Sequence, residues 1–145
     1  MRLYIFSFLF FFMLMFNLMR IVGVTGCKRG IAQSRMAAES LELAAEDFGD
    51  KIELEVHGSA GTEDTLENED VNEADVAIVA SDISVDTERF EGMPSIHTDI
   101  QAAVTDAEQL IERAEEAVEN GEEKIEYEAN TNSIGIVNKM KGFFS

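Results

Sequence analysis

The chain carries a single cysteine, Cys27, and only two histidines, His57 and His97. One cysteine excludes an internal disulfide framework and a cysteine-rich zinc site, though not a reactive thiol. The histidines are too few and too far apart in sequence to suggest a metal centre, and His97 fits ordinary strand packing. Basic residues are scarce as well: 11 Lys and Arg face 29 Asp and Glu, for a formal net charge of -18. Every acid lies between Glu39 and Glu128, where only Lys51, Arg89, Arg113 and Lys124 oppose them. Such a body repels nucleic acid, which is excluded as a partner. It reads as the surface of a protein from a salt-rich cytoplasm, where such charge is screened. The first 38 residues show the opposite imbalance, with no acid and five basic residues, Arg2, Arg20, Lys28, Arg29 and Arg35.

At 145 residues the chain has room for one domain with an ample core. Leu3 to Met19 is almost wholly apolar, interrupted only by Ser7 and Asn17. These 17 residues fall short of the about 20 that a membrane helix needs and suit a signal-peptide core. Val24-Thr25-Gly26-Cys27 fits the lipobox of a bacterial-type lipoprotein signal, although Arg20 breaks the apolar run seven residues before Cys27. Three readings of residues 1–18 stand side by side: a mistaken extension upstream of a start at Met19, a membrane anchor, or the signal of a lipoprotein lipidated at Cys27.

From Ile21 onward the pattern is that of a folded unit. Ile21-Val22-Gly23-Val24 has the composition of a buried parallel strand. After a glycine-bounded loop, Ala37, Leu41, Ala44, Ala45 and Phe48 recur at helical spacing within Ile31 to Phe48, and Gly49 follows as a helix cap. Lys51 to Val56 alternates as a half-buried strand near an edge, with Ile52, Leu54 and Val56 inward and Glu53 and Glu55 outward. Gly58 to Glu73 reads as an acidic loop with one helical turn, and Val76 to Ala80 as a strand buried on both faces. Asp82 and Asp86 beyond it read as loop caps, with a part in shaping the Cys27 loop as the alternative. Met93 to His97 is the last short strand expected. Thr105-Asp106-Ala107-Glu108 has the form of a capping box before a helix striped by Leu110, Ile111, Ala114, Ala117 and Val118 and closed by Gly121. The expected fold is α/β: an open, mostly parallel four-stranded sheet flanked by helices, with ligands beyond the carboxyl ends of the strands, where Cys27 lies. Of the tail, Glu122 to Asn132 reads as solvated, and Ile134 to Phe144, with Lys139 and Lys141, as an apolar, weakly basic end suited to a membrane or a partner.

The loop carries the chemistry. A thiolate is the nucleophile, and helix N-termini and neighbouring cations favour it; Cys27 stands before a helix, beside Lys28 and Arg29. Backbone N–H groups at the same place can hold phosphoryl oxygens. An inert, small, apolar Cys27 between strand and helix remains the alternative on these residues alone. A phosphatase of the tyrosine type needs arginine six residues after its cysteine, and that position is Gln33, with Arg35 two residues too late. A thioredoxin-like site needs a second cysteine, which is absent.

Taken together, Cys27 to Leu41 (CKRGIAQSRMAAESL), Gly58 to Glu63 (GSAGTE), Glu73 to Asp82 (EADVAIVASD) and Val85 to Pro94 (VDTERFEGMP) resemble the fructose-specific IIB component of the sugar phosphotransferase system. The resemblance runs from about Met19 to Glu119, so residues 19–120 are expected to form the IIB domain, 1–18 an extension and 121–145 a tail. With the acidic body, it points to a haloarchaeal member. The family's role implies that Cys27 becomes a phosphocysteine, taking the phosphoryl group from phosphohistidine of IIA and passing it to fructose or a related sugar during uptake through the membrane permease IIC. It implies a cytoplasmic protein at the inner face of the membrane, with no metal and no cofactor. The phosphate-binding loop then comprises Lys28, Arg29, Gly30, Ile31, Ala32, Gln33 and Ser34, with Arg35 as a partner or charge contact. Where the family loop reads C-P-T-G-I-A-H-T followed by an aromatic residue, this chain has Lys28 and Arg29 for proline and threonine, Gln33 for histidine and Arg35 for the aromatic. Extra cations strengthen the hold on a dianion, and Gln33 donates a hydrogen bond without titrating. A IIB-like regulatory module without turnover, and the lipoprotein, are the alternatives.

Overall fold

The computed structural model describes residues 19–129; the expectations for the 1–18 segment and for the Ile134 to Phe144 end lie outside the described residues. The β-branched run of Ile21 to Val24 becomes the middle of β1 (Arg20–Gly26), at the centre of a six-stranded sheet. The other strands are β2 (Lys51–Gly58), β3 (Gly61–Glu63), β4 (Val76–Ser81), β5 (Ser95–Thr98) and β6 (Lys124–Glu126), in the order β3-β2-β1-β4-β5-β6. Only the β2–β3 pairing is antiparallel. The sheet thus has two strands more than the four expected. Both are three-residue edge strands, too short for alternation to show. β6 also corrects the reading of Glu122 to Asn132 as solvated tail as far as Ala129, because Lys124–Glu126 pairs with β5 and Ile125, Tyr127 and Ala129 pack against the core; residues 130–132 lie outside the described residues.

Helix α1 (Ala32–Phe48) buries Ala37, Leu41, Ala44 and Ala45 and ends at Gly49 in the left-handed conformation, while Phe48, assigned to the buried stripe, is 38% exposed. The segment Gly58 to Glu73, expected as a loop with one helical turn, contains α2 (Asn68–Glu73) as that turn and, unexpectedly, β3. α3 (Ile100–Thr105) and α4 (Ala107–Asn120) follow β5. α4 has the expected buried stripe except for Val118, which is exposed. The Thr105 to Glu108 capping box does not form. The unforeseen α3 runs into it, so Thr105 Oγ1 donates to Gln101 O (3.1 Å), and Asp106 Oδ2 accepts from Tyr127 (2.9 Å).

α1, α3 and α4 cover one face of the sheet over Ile21, Leu54, Ile78 and Ile96; α2 and a 3-10 turn at Glu88–Phe90 cover the other over Val22, Val24 and Val79. β1 leads through α1 to β2 on one side, and β4 leads to β5 on the other, so the strand order reverses between β1 and β4. A crevice opens beyond the carboxyl ends of strands at such a reversal, and Cys27 follows β1 there.

Candidate functional site

Cys27 continues β1 by one residue: its N–H donates to His57 O at the end of β2 (3.3 Å), and Asp82 N donates to Gly26 O on the other side (3.0 Å). The cysteine is 1% exposed. Its thiol donates to Arg29 O (3.0 Å) and lies 3.8 Å from Gly30 O. The chain then turns through Lys28 to Ile31, with Gly30 at a positive φ of 47°. α1 begins without a side-chain cap, and its first N–H paired with a backbone carbonyl is that of Arg35, to Ile31 O (2.9 Å). The N–H groups of Ala32, Gln33 and Ser34 precede it, as unpaired amides do at any helix start. They are the donors closest in sequence to Cys27 that the helix leaves available for an anion.

Lys28, Arg29, Ala32 and Gln33 are exposed and Ile31 is half-buried. Neither Lys28 nor Arg29 makes an ion pair among the described residues, so both charges face solvent at the rim of the loop. Ser34 can offer an anion its backbone N–H but not its hydroxyl. It is buried, its hydroxyl donates to His57 O (2.6 Å), and its carbonyl accepts from Thr25 Oγ1 (2.9 Å), which leaves only its N–H for an anion. Arg35 is turned to Glu63 of β3 in an exposed ion pair. Asp82 and Asp86 act as caps: Asp82 Oδ1 accepts from Ile100 N (3.3 Å) and Asp86 Oδ1 from Glu88 N (3.1 Å).

The hairpin between β2 and β3 forms the second wall of the loop, and only its sequence, not its position, was apparent beforehand. Gly58 lies so close to the loop that a Cβ there would stand 1.7 Å from Gly30 O, which excludes every other residue type. Ser59 Oγ accepts from Gly30 N at 2.6 Å. Behind the hairpin, Glu55, expected on the solvent side of its strand, is 2% exposed. It accepts from Arg89 Nη1 (3.2 Å) and Nη2 (2.5 Å), from His57 Nε2 (2.6 Å) and from Leu66 N (3.0 Å). Burial would push the Glu55 carboxyl up, yet hydrogen bonds from Arg89, His57 and Leu66, with the charge of Arg89, hold it down at about 2. A lone glutamate in an alternating strand gives no sign of its partner thirty-four residues away. His57 is thus tied to Glu55 and to Thr62 (3.2 Å), while His97 on β5 contacts Ser95 Oγ (3.0 Å) and is held below its ordinary pKa by burial and by Lys124. Among the described residues no cluster of His, Cys, Asp and Glu could hold a metal ion, and no helix is long and apolar enough to cross a membrane.

Two open cavities of about 370 Å³ each lie along β4, β5 and β6, one reaching Phe90, Met93 and Lys124 and the other Ser81, Asp99 and Tyr127. No residue from Cys27 to Arg35 lines either. Neither cavity belongs to the cysteine loop, whose rim at Lys28, Arg29 and Gly30 is exposed while Cys27 beneath it is buried.

The profile of the family described as PTS system, Lactose/Cellobiose specific IIB subunit, matches residues 22–113. The fructose-specific EIIB component of Haloferax volcanii is 49% identical over 74 residues, covering 51% of this chain and 47% of that protein. The fructose-specific EIIB'BC component of Xanthomonas campestris is 47% identical over 73 residues, covering 50% of this chain and 13% of that protein. The chain thus spans less than half the length of each of these two relatives. A crystal structure of a predicted fructose-specific IIB from Escherichia coli superposes with a TM-score of 0.70 at 30% identity, covering 74% of this chain and 97% of that one. The loop-bearing sheet, the family profile and the fructose-type relatives agree: the chain belongs to the IIB family of the sugar phosphotransferase system, among its fructose-type members.

Proposed function

We propose that this protein is the phosphoryl carrier of a fructose-type phosphotransferase system, with Cys27 as the carrier atom's residue. The supporting observation is the placement of this one cysteine: at the carboxyl end of β1, at the strand-order reversal, one short turn before the free N–H groups of α1. In the first step the Cys27 sulfur attacks phosphorus as the P–N bond of phosphohistidine on IIA breaks, and the thiol proton ends on the released imidazole nitrogen. In the second a sugar hydroxyl oxygen attacks, the S–P bond breaks, and the hydroxyl proton returns to the thiolate. Helix N–H groups stabilise the dianion between the two steps, with Lys28 and Arg29 adding charge at the rim. No cofactor takes part in either step. The sugar is fructose, taken up through IIC and released as fructose 1-phosphate, and the protein works in the cytoplasm at the inner face of the membrane. The net charge of -18 suits a salt-rich cytoplasm, where screening offsets the repulsion among 29 acids.

Incubation with phosphorylated IIA should add the mass of one phosphoryl group to the wild-type protein and none to Cys27→Ser. Equal labelling of the variant, or no labelling of folded wild type, contradicts the relay. The exposed, unpaired Lys28 and Arg29 and the Arg35–Glu63 pair favour one second reading, a IIB-like module that senses phosphorylation state without turnover. Its signature is binding of IIA with no transfer. Lipidation of Cys27 is the remaining reading, and the mass of the mature N-terminus decides it.

A further inference from the structure

The Arg29–Gly30 peptide points the wrong way for a phosphocysteine. In a trans peptide the C=O and the following N–H point in opposite directions. Here Arg29 O is turned in toward the sulfur, accepting its thiol proton at 3.0 Å, and Gly30 N–H is turned out, donating to Ser59 Oγ at 2.6 Å. A second carbonyl, Gly30 O, stands 3.8 Å from the sulfur. A neutral thiol is satisfied by such acceptors, but a phosphoryl dianion on the same sulfur would face two carbonyl oxygens and lose a donor to the hairpin. The sulfur is also 1% exposed, so a donor reaches it only after the loop moves. Gly30 sits at φ 47°, and glycine accepts both that value and the negative φ that follows when the preceding peptide turns over.

We infer that Ser59 is a positioning residue: its hydroxyl latches the Arg29–Gly30 peptide with the carbonyl inward while Cys27 is a thiol, and the peptide turns over to point Gly30 N–H at the phosphoryl group when Cys27 is loaded. This rests on Cys27 being the phosphoryl carrier, but the resting half of the device stands without it. Gly58 makes the latch possible by letting the hairpin backbone lie against Gly30 O. The Arg35–Glu63 pair ties β3 of that hairpin to α1, so the hairpin keeps its place when the peptide turns.

The test uses the full chain with Ser59→Ala and Ser59→Thr. Ser59 is exposed at a turn, so both variants should keep the wild-type amide spectrum of β1 and β4. Loss of one hydrogen bond should raise the rate of Cys27 alkylation by iodoacetamide roughly three- to ten-fold in Ser59→Ala and quicken hydrogen exchange at the Gly30 amide by a similar factor. Ser59→Thr, which keeps the hydroxyl, should behave as wild type in both. A general loosening of the turn would not be rescued by threonine. Unchanged alkylation and Gly30 exchange in Ser59→Ala, or threonine behaving as alanine, overturns the latch. In wild type, phosphorylation should then shift the Gly30 amide resonance and leave Ser59→Ala and wild type with matching Gly30 shifts. If the alkylation result holds but no phosphoryl group is acquired, the latch stands and the carrier reading fails.

Discussion

Ile21, Leu41, Ile78, Ile96, Leu110 and Ile111 meet beneath α1, α3 and α4, each at most 1% exposed, whereas the opposite face gathers fewer apolar side chains, among them Val22, Val24, Leu66, Val71 and Phe90. That second face closes over the Glu55–Arg89 ion pair, with Arg89 also resting on the Phe90 ring, 5.0 Å from its centroid. The first face is held chiefly by packing, although burial and the neighbouring Asp50 hold the Glu115 carboxyl on α4 above the usual carboxylate range. The second depends on a charge that acid can remove. The cysteine loop lies at the junction: α1, whose first N–H groups follow it in sequence, belongs to the packed face, and His57, whose carbonyl accepts from both Cys27 N–H and Ser34 Oγ, is hydrogen-bonded to Glu55 on the charged one.

The contrast can be broken most severely on the packed face. Leu41→Ala removes a fully buried side chain from the centre of α1 and should cost ~2–5 kcal/mol of unfolding free energy, read from denaturant midpoints. On the other face, Arg89→Met takes the guanidinium from the buried Glu55 carboxylate, leaving it only the hydrogen bonds from His57 and Leu66 N, and should cost ~2–4 kcal/mol. The double variant Glu55→Leu/Arg89→Met should recover most of that loss, because two apolar groups need no partner. If the double variant is as unstable as the single one, the face is held by shape rather than by charge.

The same difference should appear in pH dependence. The folded Glu55 carboxyl, at about 2, lies below its unfolded value, so its contribution is complete above the ordinary carboxylate range and is lost as pH falls through that range toward 2. Between neutral pH and the low end of that window, wild type should lose ~3 kcal/mol that Glu55→Gln, already without it, does not lose. The smallest effect belongs to the β6 edge. Burial and the hydrogen bond to Asp106 push the Tyr127 hydroxyl up to about 12, so its contribution holds below the ordinary tyrosine value and fades as pH rises through 12. Tyr127→Phe should cost about 1 kcal/mol at neutral pH, measured by thermal or denaturant unfolding.

Much of the packed face was legible because periodicity reports burial: Ala37, Leu41, Ala44 and Ala45 recur as a helix requires, and the continuous run at Val76 to Ala80 belongs to a strand covered on both sides. The charged face was not legible, because Glu55 looks solvent-facing in an alternating strand and its partner sits in a separate turn. β3, β6 and α3 escaped for another reason: three to six residues are too few to show a period, and each is fixed by a tertiary neighbour. At the site, the strand, cysteine, turn and helix followed from the sequence. The crossing of the β2–β3 hairpin over Gly30, with Gly58 as its contact and Ser59 as its hydrogen bond, depends on sheet register and could be read only in three dimensions.

The claim on which the rest depends is that the phosphoryl group resides on sulfur. Peptide mapping by tandem mass spectrometry after exposure to phosphorylated IIA tests it directly. The expected result is a single added phosphoryl group on the peptide containing Cys27, with the fragments placing it on that residue. A phosphoryl group on His57 or His97, or none on a folded protein that binds IIA, would contradict it.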